Sequence, residues 1–414
     1  MDELIIIGKK AKQASAQLAH MNSEQKNRVL LKVAGLLEKH TNTILKANAV
    51  DLEQGKEMGL KGAIVERLTL SGEKIAGVAE GLREIVQLDD PIGEIEEMKK
   101  RPNGLLIGKK RVPLGVVGVI YESRPNVTAD VAGLCIKTGN VCVLRGGKEA
   151  FRSNRAIVKI FHKAIEECGL DPNMVQLVQD TTRESAVAMM KLNEYIDILI
   201  PRGGAGLIQT VVQNSTVPVI ETGVGNCHIY VDKAADLEKA VAIVYNAKTH
   251  RPGVCNAAES LLVHKDVAEA VLPSIGKSLA KGGVEIRGDK ATCALIPGAV
   301  PAREEDWATE YLDLIISSKV VSSVEEAVDH INKYGSMHSE SIVTENYSHA
   351  QYFLDRVDAA AVYVNASTRF TDGFEFGYGA EIGISTQKLH ARGPMGLKEL
   401  TTNKYVIYGS GQIR

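Results

Sequence analysis

Apolar positions in the first part of the chain recur with the period of an α-helix. Asn22 and Gln25 can form a capping box, and apolar residues follow at spacings of three and four. These apolar residues are Val29, Leu30, Val33, Leu36 and Leu37. Residues 40–56 and 62–87 continue the pattern. The N-terminal region is therefore predicted to be helical.

The segment Glu94–Arg111 has a different pattern. Two extended runs flank Pro102-Asn103-Gly104, which is typical turn chemistry, so the segment is predicted to form a β-hairpin. A polar hairpin of this kind either pairs with another subunit or lies as a solvated flap on the surface, and the pattern alone favours neither.

Between Gly115 and Ile220, short apolar runs alternate with helical patterns. The predicted strands are Val116–Tyr121, Val141–Leu144, Val175–Val178, Ile196–Ile200 and Val217–Ile220, and the predicted helices include Thr128–Lys137 and Ser153–Cys168. Such an alternation predicts a parallel sheet covered on both faces, with its ligand site at the carboxyl ends of the strands. A second alternating stretch, from Lys233 to about Ala359, predicts another α/β domain, and the tail ends in a strand-like run at Lys404–Tyr408.

Composition narrows the class of protein. The chain has 414 residues, more than one ordinary core holds, with 44% hydrophobic and 24% charged residues and a formal net charge of −2. This balance argues against nucleic acid or a membrane surface as a partner. The N-terminus lacks the basic residues of a signal peptide, and no apolar run approaches the roughly 20 residues of a spanning helix. A cytoplasmic protein is expected.

Six cysteines are scattered along the sequence without a Cys-x-x-Cys pair. They are Cys135, Cys142, Cys168, Cys227, Cys255 and Cys293. Their spacing suggests neither a metal site nor a disulfide framework, and it fits a reducing compartment. Five of them are interpreted as small buried hydrophobic residues.

Cys255 is the exception. Pro252 and Gly253 impose a loop just before it, and the cation Arg251 lies four residues away. A thiol in a polar loop near positive charge can have its pKa lowered from about 8.5, which raises the reactive thiolate fraction. Cys255 is therefore a candidate nucleophile, with an incidental loop thiol as the alternative that this segment alone leaves open. His250 is interpreted as a loop residue rather than as a base.

Two predicted strand-to-helix turns are rich in glycine. They are residues 144–148, which contain Arg145, Gly146, Gly147 and Lys148, and residues 201–206, which contain Gly203 and Gly204. Glycines let a backbone approach a ligand closely, and the N-terminus of the following helix favours an anion. A Gly-x-Gly-x-x-Gly fingerprint is absent. Two such turns on one sheet, each with a cation, favour a nucleotide site.

Eight motifs follow one another across nearly the whole chain. They are Gly115–Ile120, Pro125-Asn126, Gly139–Arg145, residues 201–206, Glu221–Gly223, Gly253–Cys255, Glu310 before Leu312, and Val364-Asn365. In this order and spacing they resemble the aldehyde dehydrogenase superfamily. Three long stretches, Tyr121–Thr128, Arg251–Ala257 and Phe376–Gly383, are similar to the branch that reduces L-glutamyl 5-phosphate to L-glutamate 5-semialdehyde in the second step of proline biosynthesis.

The resemblance implies an α/β architecture with two parallel-sheet domains and a small hairpin-and-tail oligomerisation arm. The cofactor-binding domain would comprise residues 1–98, 115–230 and 361–388, the catalytic domain residues 231–360, and the arm residues 99–114 and 389–414. A homo-oligomer is expected. A glutamate 5-kinase, which would make the labile acyl phosphate, is a candidate partner that the sequence leaves open.

The resemblance also implies a covalent mechanism. Cys255 would attack the acyl phosphate and form a thioester, which accepts hydride from NADPH far more readily than a carboxylate would. The side-chain amide of Asn126 would stabilise the oxyanion. Glu221 is in register with the base that hydrolytic members use to activate water. Because a reductase gains nothing from hydrolysing its thioester, Glu221 is interpreted as structural, with proton transfer as the alternative.

For the cofactor, the resemblance implies a dinucleotide held by Arg145, Gly203, Gly204 and Glu310, the last through the nicotinamide ribose. Lys148 lies where NAD-preferring members carry an acidic residue, so a cation there predicts a preference for the 2′-phosphate of NADP(H). A solvated lysine at a helix start is the alternative.

The substrate, anionic at both ends, implies cationic partners. Arg124 and Arg251 flank Asn126 and Cys255 in sequence and are the expected ligands, because a guanidinium matches a carboxylate or a phosphate.

Two other functions are alternatives. One is a hydrolytic, NAD-dependent semialdehyde dehydrogenase, which Glu221 favours and Lys148 opposes. The other is a catalytically silent nucleotide-binding protein on the same fold.

Overall fold

The computed structural model describes residues 2–60 and 62–414, and within them the α-helices and β-strands alternate after a helical N-terminus. The helices are α1 Asp2–Leu18, α2 Ser23–Lys39, α3 Thr41–Glu57, α4 Ala63–Leu68, α5 Gly72–Gln87, α6 Pro125–Lys137, α7 Phe151–Glu167, α8 Arg183–Met189, α9 Ala205–Asn214, α10 Leu237–Thr249, α11 Lys265–Lys281, α12 Lys290–Leu295, α13 Val324–Tyr334 and α14 Tyr347–Arg356. The strands are β1 Ile95–Lys100, β2 Leu106–Pro113, β3 Val116–Tyr121, β4 Val141–Gly146, β5 Val175–Leu177, β6 Ile198–Arg202, β7 Cys227–Val231, β8 Ala258–His264, β9 Glu285–Gly288, β10 Val300–Pro301, β11 Ile315–Val321, β12 Ser339–Val343, β13 Ala361–Val364, β14 Ile384–Ser385, β15 Gly393–Pro394 and β16 Thr401–Tyr408.

The chain divides into two compact units, which are described in turn. Unit 1 comprises Met1–Glu221, Gly377–Gly383 and Met395–Arg414, and unit 2 comprises Thr222–Phe376 and Ile384–Pro394. The assignment of cofactor binding to one domain and catalysis to the other stays a prediction.

Unit 1 contains a four-stranded parallel sheet in the order β5-β4-β3-β6. All six residues of β3 are buried, as expected for a central strand whose apolar residues face helices on both sides. The strand predicted at Val217–Ile220 is reduced to a single parallel bridge between Leu199 and Val219. Pro218 interrupts this run and supplies a carbonyl but no N–H, so a regular ladder cannot continue through it.

The helical N-terminus of unit 1 follows the predicted pattern with one difference. The capping box of Asn22 and Gln25 is present and starts α2. The stretch predicted as one helix over 62–87 forms two, because the chain is extended between them and Ser71 caps the second, α5, by accepting from the N–H of Lys74.

Unit 1 also carries a three-stranded antiparallel sheet in the order β1-β2-β16. The predicted hairpin turn is present, and Gly104 at its tip has φ of +89°, a conformation that glycine adopts without strain. The tail strand β16 pairs with β2 from Thr401 opposite Pro113 to Tyr408 opposite Leu106. Hairpin and tail therefore form one structure, as the resemblance implied.

Unit 2 contains a seven-stranded parallel sheet in the order β10-β9-β11-β8-β7-β12-β13. Alternate residues of its central strands face opposite sides. Ile229 and Leu261 join the core cluster that includes α10 and α11, whereas Tyr230 and Leu262 join the cluster that includes α13 and α14. Helices therefore cover both faces of the sheet.

Candidate active site

In unit 1, the polar and glycine-rich segments singled out in the sequence follow three neighbouring strands. Glu122 comes directly after β3, Lys148 follows β4, and Gly203 follows β6. Because these parallel strands lie side by side, their carboxyl ends share one edge of the sheet. The topology of the sheet therefore agrees with the ligand site that the sequence predicts at this edge.

Asn126 lies in the first turn of α6, which begins three residues earlier than predicted because Pro125 occupies the first helical position. The Asn126 amide Nδ2 donates to Asp130 Oδ2 at 3.0 Å, one helical turn further on. Burial raises the pKa of the Asp130 carboxyl to about 6, although this hydrogen bond and the charge of Arg202 oppose the rise. Asp130 thus fixes the orientation of the amide.

Arg145, at the end of β4, is turned to the backbone. Its Nη2 donates to the carbonyl oxygens of Thr181 and Thr182 at 2.7 and 2.6 Å. Burial lowers its pKa, with the carboxylates of Glu149, Asp180 and Glu122 acting in the opposite direction. The structure therefore shows Arg145 holding the loop between β5 and α8, and a direct role toward a ribose stays a prediction.

Lys148 begins a short 3₁₀ helix and is exposed. Its neighbour Glu149 accepts from both the N–H and the hydroxyl of Ser123 at 2.8 Å. Ser123 has φ of +40°, an unusual value for a residue with a side chain, and it precedes Arg124 at the start of α6. Glu149 therefore stabilises the strained turn that follows β3, while Lys148 faces solvent.

The turn before α9 is open on one side. A Cβ built on Gly204 or Gly206 would meet nothing within 4 Å, whereas a Cβ on Gly203 would lie 2.5 Å from the Glu122 carboxylate. The N–H of Gly204 donates to Glu122 Oε2 at 3.0 Å. The space and the helix N-terminus fit a phosphate, and one of the available backbone donors is held by a carboxylate of the protein itself.

Glu221 is half-buried, as is Arg124. Glu221 lies in the loop that leads from the sheet of unit 1 to β7. The structural role and the proton-transfer role both stay predictions.

In unit 2, the candidate residues gather at the amino ends of strands. Gly225 precedes β7, Cys255 precedes β8, and Glu310 precedes β11, and these strands are neighbours in the order β11-β8-β7. The segment that contains Cys255 therefore lies at the amino ends of the strands of unit 2, whereas the glycine-rich turns of unit 1 lie at the carboxyl ends of their strands. The order of the strands brings the loops of Gly225, Cys255 and Glu310 together.

Cys255 lies in a turn between α10 and β8 and is half-buried. Its carbonyl oxygen accepts a hydrogen bond from the Cys227 thiol at an S···O distance of 3.2 Å. Burial raises the pKa of Cys227 well above its usual range, so that thiol stays protonated and remains a donor. Gly225 lies against the same carbonyl so closely that a Cβ there would come within 1.6 Å of the oxygen. Cys227 and Gly225 therefore hold the backbone of Cys255 in place.

Glu310 is tied to the same loops. Its Oε1 accepts from the N–H of Gly225 at 2.8 Å. Two residues further on, the N–H of Leu312 donates to Glu259 Oε1 at 3.1 Å, and Leu312 has φ of +54°. The Glu310 loop is thus held at both ends, and binding of a ribose by Glu310 stays a prediction.

Glu259 belongs to a completely buried ion pair. Its Oε2 lies 2.6 Å from Lys248 Nζ, and both side chains are inaccessible to solvent. Burial raises the pKa of Glu259 to about 7, with Lys248 opposing the rise. An internal pair of this kind contributes little net stability but is costly to break, so it acts here as a rigid support for the Glu310 loop.

Arg251 is exposed just before Cys255, and a second arginine, Arg369, is half-buried after β13. The segment of Arg369 is bound to Asn256, the residue after Cys255. The Asn256 amide donates to the carbonyl oxygens of Arg369 and Thr371 at 3.4 and 2.9 Å, and the Thr368 hydroxyl donates to the Asn256 carbonyl at 2.7 Å. The Arg369 segment is therefore attached to the Cys255 loop, and the Arg369 guanidinium has Cys255 among its electrostatic neighbours.

Sequence reasoning missed several of these residues. They are Glu122, Asp130, Gly225, Cys227, Glu259 and Arg369. Asp130 lies one helical turn after Asn126, and that spacing was a usable signal for contact. Arg369 follows Val364-Asn365 closely, but nothing in its spacing points to Cys255. Within the described ranges, residues 2–60 and 62–414, histidine, cysteine and acidic side chains form no cluster that could hold a metal ion.

Comparison with known proteins places this geometry in a family. The aldehyde dehydrogenase family model matches residues 3–294. The gamma-glutamyl phosphate reductase of Carboxydothermus hydrogenoformans is 61% identical over 414 residues, and that of Clostridium perfringens is 60% identical over 413 residues, each alignment covering 100% of both chains. The crystal structure of the gamma-glutamyl phosphate reductase of Thermotoga maritima superposes with a TM-score of 0.96 at 51% identity, also over 100% of both chains.

The chain belongs to the aldehyde dehydrogenase family. Within that family, the three relatives just described, at 51–61% identity, are gamma-glutamyl phosphate reductases, which confirms the resemblance and the fold that it implied. The family uses nicotinamide cofactors. In the described part of the chain, no helix combines the length and the apolar character needed to cross a membrane.

Proposed function

We propose that the chain catalyses the NADPH-dependent reduction of L-glutamyl 5-phosphate to L-glutamate 5-semialdehyde and phosphate, the second step of proline biosynthesis. The observation that carries this function is the Cys255 turn, a half-buried thiol whose backbone is fixed by Gly225 and Cys227, in a chain that matches gamma-glutamyl phosphate reductases over its full length. The names of these relatives favour reduction over the hydrolytic, NAD-dependent alternative.

The covalent step begins at Cys255. Its thiolate attacks the acyl carbon, a carbon–sulfur bond forms, and the carbon–oxygen bond to phosphate breaks, so phosphate leaves with the electron pair. NADPH, when bound, supplies the hydride that reduces the resulting thioester. Cys255 then leaves as the thiolate when the thiohemiacetal collapses to the semialdehyde. The sulfur is regenerated unchanged and can start a new cycle.

Asn126 is proposed to stabilise the negative charge that develops on the acyl oxygen, together with the backbone N–H of Cys255. One N–H of the Asn126 amide is directed to Asp130, which leaves the second N–H as the donor for the oxyanion. Loss of one donor of this type typically costs about 10²–10³ in turnover. Arg124 and Arg251 are proposed to hold the anionic ends of the substrate.

The cofactor is proposed to be NADP(H), bound along the carboxyl ends of the unit 1 strands. Gly203 and Gly204 would hold the pyrophosphate at α9, where the open space supports a fit, and Glu122 would have to release the N–H of Gly204. Glu310 is assigned to the nicotinamide ribose. Arg145 contributes by fixing the loop beside the adenosine, and exposed Lys148 would pair with the 2′-phosphate.

Lys148→Glu is expected to reverse the cofactor preference. The change removes a cation from the 2′-phosphate and adds a carboxylate that suits a 2′-hydroxyl, so kcat/KM with NADP+ should fall about 10- to 100-fold while that with NAD+ stays level or rises. Steady-state kinetics with both cofactors measure the ratio. Lys159→Glu, the same charge change at an exposed position of α7, serves as the control. An unchanged ratio would show that Lys148 is only a solvated lysine.

Further proposals concern assembly and location. The sheet β1-β2-β16 is proposed as the surface that contacts another subunit, since its outer strand β16 exposes Tyr405, Ile407 and Tyr408. Association with a glutamate 5-kinase stays a prediction. A cytoplasmic location is proposed from the scattered spacing of the six cysteines, which fits a reducing compartment.

The test of the function is an assay in the oxidative direction. L-Glutamate 5-semialdehyde and NADP+ should yield NADPH only when phosphate is present, because phosphate must displace the glutamyl group from Cys255. Arsenate should replace phosphate and give free glutamate. Formation of NADPH and glutamate at the same rate without phosphate would instead identify the hydrolytic dehydrogenase and overturn the proposed function.

A further inference from the structure

Arg369 is a half-buried cation of unit 2 that has no role in the proposed mechanism. It lies in a short 3₁₀ helix, Thr368–Phe370, which Ser367 caps by accepting from the N–H of Arg369. Three hydrogen bonds join this segment and the adjacent Thr371 to Asn256. Two are made by the side-chain amide of Asn256 and one by its backbone carbonyl. The backbone of Arg369 is therefore held in place by Asn256, the residue that follows Cys255.

The charges around Arg369 are unbalanced. Burial lowers its pKa and Arg251 lowers it further, whereas Asp372, Cys255 and Cys227 raise it, so these groups are its electrostatic neighbours. An arginine nevertheless remains a cation at neutral pH. Two guanidinium groups thus share the surroundings of the Cys255 thiol.

Among these neighbours, Asp372 supplies one negative charge beside the two guanidinium groups. Asp372 turns one carboxylate oxygen, Oδ1, to the N–H of Phe374 at 2.9 Å. The Nε of Arg369 is buried and, in the part of the chain that the structure describes, has no hydrogen-bond partner. Buried polar groups in proteins are nearly always paired, so an arginine donor left unpaired next to a reactive thiol is suited to a ligand.

We infer that Arg369 binds an anionic group of the substrate at Cys255, as a substrate-binding arginine in addition to those already assigned. This inference rests on the proposed function, which supplies a substrate with two anionic groups, a carboxylate and an acyl phosphate. Both are planar or trigonal arrays of oxygens that the fork of a guanidinium matches, so both share the chemistry that Arg369 recognises. Arg251 is exposed just before Cys255, whereas Arg369, in its separate 3₁₀ helix, is half-buried.

The oxidative assay separates the two anionic groups, because the carboxylate enters on the semialdehyde and the phosphate enters as a free ion. In Arg369→Met, KM for one of these two reactants is expected to rise about 10- to 100-fold, the loss typical of a hydrogen bond to a charged group. A rise for phosphate assigns Arg369 to the acyl phosphate, and a rise for the semialdehyde assigns it to the carboxylate. Arg303→Met, which removes an exposed arginine of the same unit, should leave both constants unchanged.

A second measurement is independent of turnover. Iodoacetamide is expected to alkylate Cys255, and inorganic phosphate or L-glutamate should slow the reaction by occupying the anion site. In Arg369→Met, the anion that corresponds to the reactant with the raised KM should no longer slow the alkylation of Cys255. The other anion should still slow it. A purely structural role for Arg369 would lower kcat or stability without this selective loss.

The inference is overturned when both KM values and both protections match those of the wild type. Should Arg369→Met fail to fold, Arg369→Lys takes its place: it keeps the charge but loses the fork, so a KM raised several-fold supports the inference and unchanged constants overturn it. Failure of the proposed function is a separate result, because it would be seen as phosphate-independent turnover of the wild-type protein.

Discussion

Cys255→Ser is expected to lose activity by about 10⁴-fold in both directions, because a serine hydroxyl stays protonated at neutral pH and cannot form the thioester. Binding of the dinucleotide should be retained, since the exchange of sulfur for oxygen leaves the fold of the turn in place. Initial rates with semialdehyde, NADP+ and phosphate measure the first effect, and fluorescence titration with NADPH measures the second.

The intermediate provides a direct readout of the same prediction. With semialdehyde and NADP+ but no phosphate, the wild-type protein should accumulate a glutamyl thioester on the peptide that contains Cys255, and mass spectrometry should detect it. Cys293→Ser is the matched control, because Cys293 is also a half-buried cysteine of unit 2 and its thiol donates to the Gly288 carbonyl, away from the Cys255 turn in sequence. Full activity of Cys255→Ser would refute the covalent mechanism.

Cys255 could be singled out from the sequence as a candidate nucleophile because part of its signal is local, although this segment alone left an incidental loop thiol as the alternative. Pro252 and Gly253 impose the loop, Arg251 supplies the charge, and the structure shows Cys255 half-buried in a turn. The parallel sheets could be predicted for a similar reason, since continuous apolar strands and helical stretches alternate along the chain. The predicted strand Val217–Ile220 was wrong in extent, because an apolar run does not reveal that Pro218 limits the ladder to one bridge.

The contacts that hold the Cys255 turn could not be predicted in the same way. Gly225, Cys227 and Arg369 reach Cys255 or its neighbour from 30, 28 and 114 positions away, and only the order of the strands brings them together. Local patterns carry no information about such contacts. The resemblance supplied family motifs but not the backbone-to-backbone approach at Gly225, which depends on the absence of a side chain.

Gly225→Ala is the substitution expected to damage the site most without touching a reacting atom. The added Cβ would lie 1.6 Å from the Cys255 carbonyl oxygen, 2.3 Å from its carbonyl carbon and 2.5 Å from its Cα. These are backbone atoms, so no side-chain rotation can relieve the clash and the Cys255 turn or the start of β7 must move. A displacement of about 1 Å at a nucleophile costs on the order of 10²-fold in rate, and the same movement strains the hydrogen bond from Gly225 to Glu310.

We therefore expect kcat of Gly225→Ala to fall about 10²-fold or more and its free energy of unfolding to fall by about 1–3 kcal/mol. Gly77→Ala is the control, because Gly77 lies within α5 and a Cβ there would meet nothing within 4 Å, so helix propensity should leave its stability unchanged or slightly raised. The rate of Cys255 alkylation separates the two possible losses: a changed rate shows that the turn has moved, and an unchanged rate with low kcat places the damage at Glu310. Wild-type kcat in Gly225→Ala would mean that the nucleophile does not need the backbone contact that holds it.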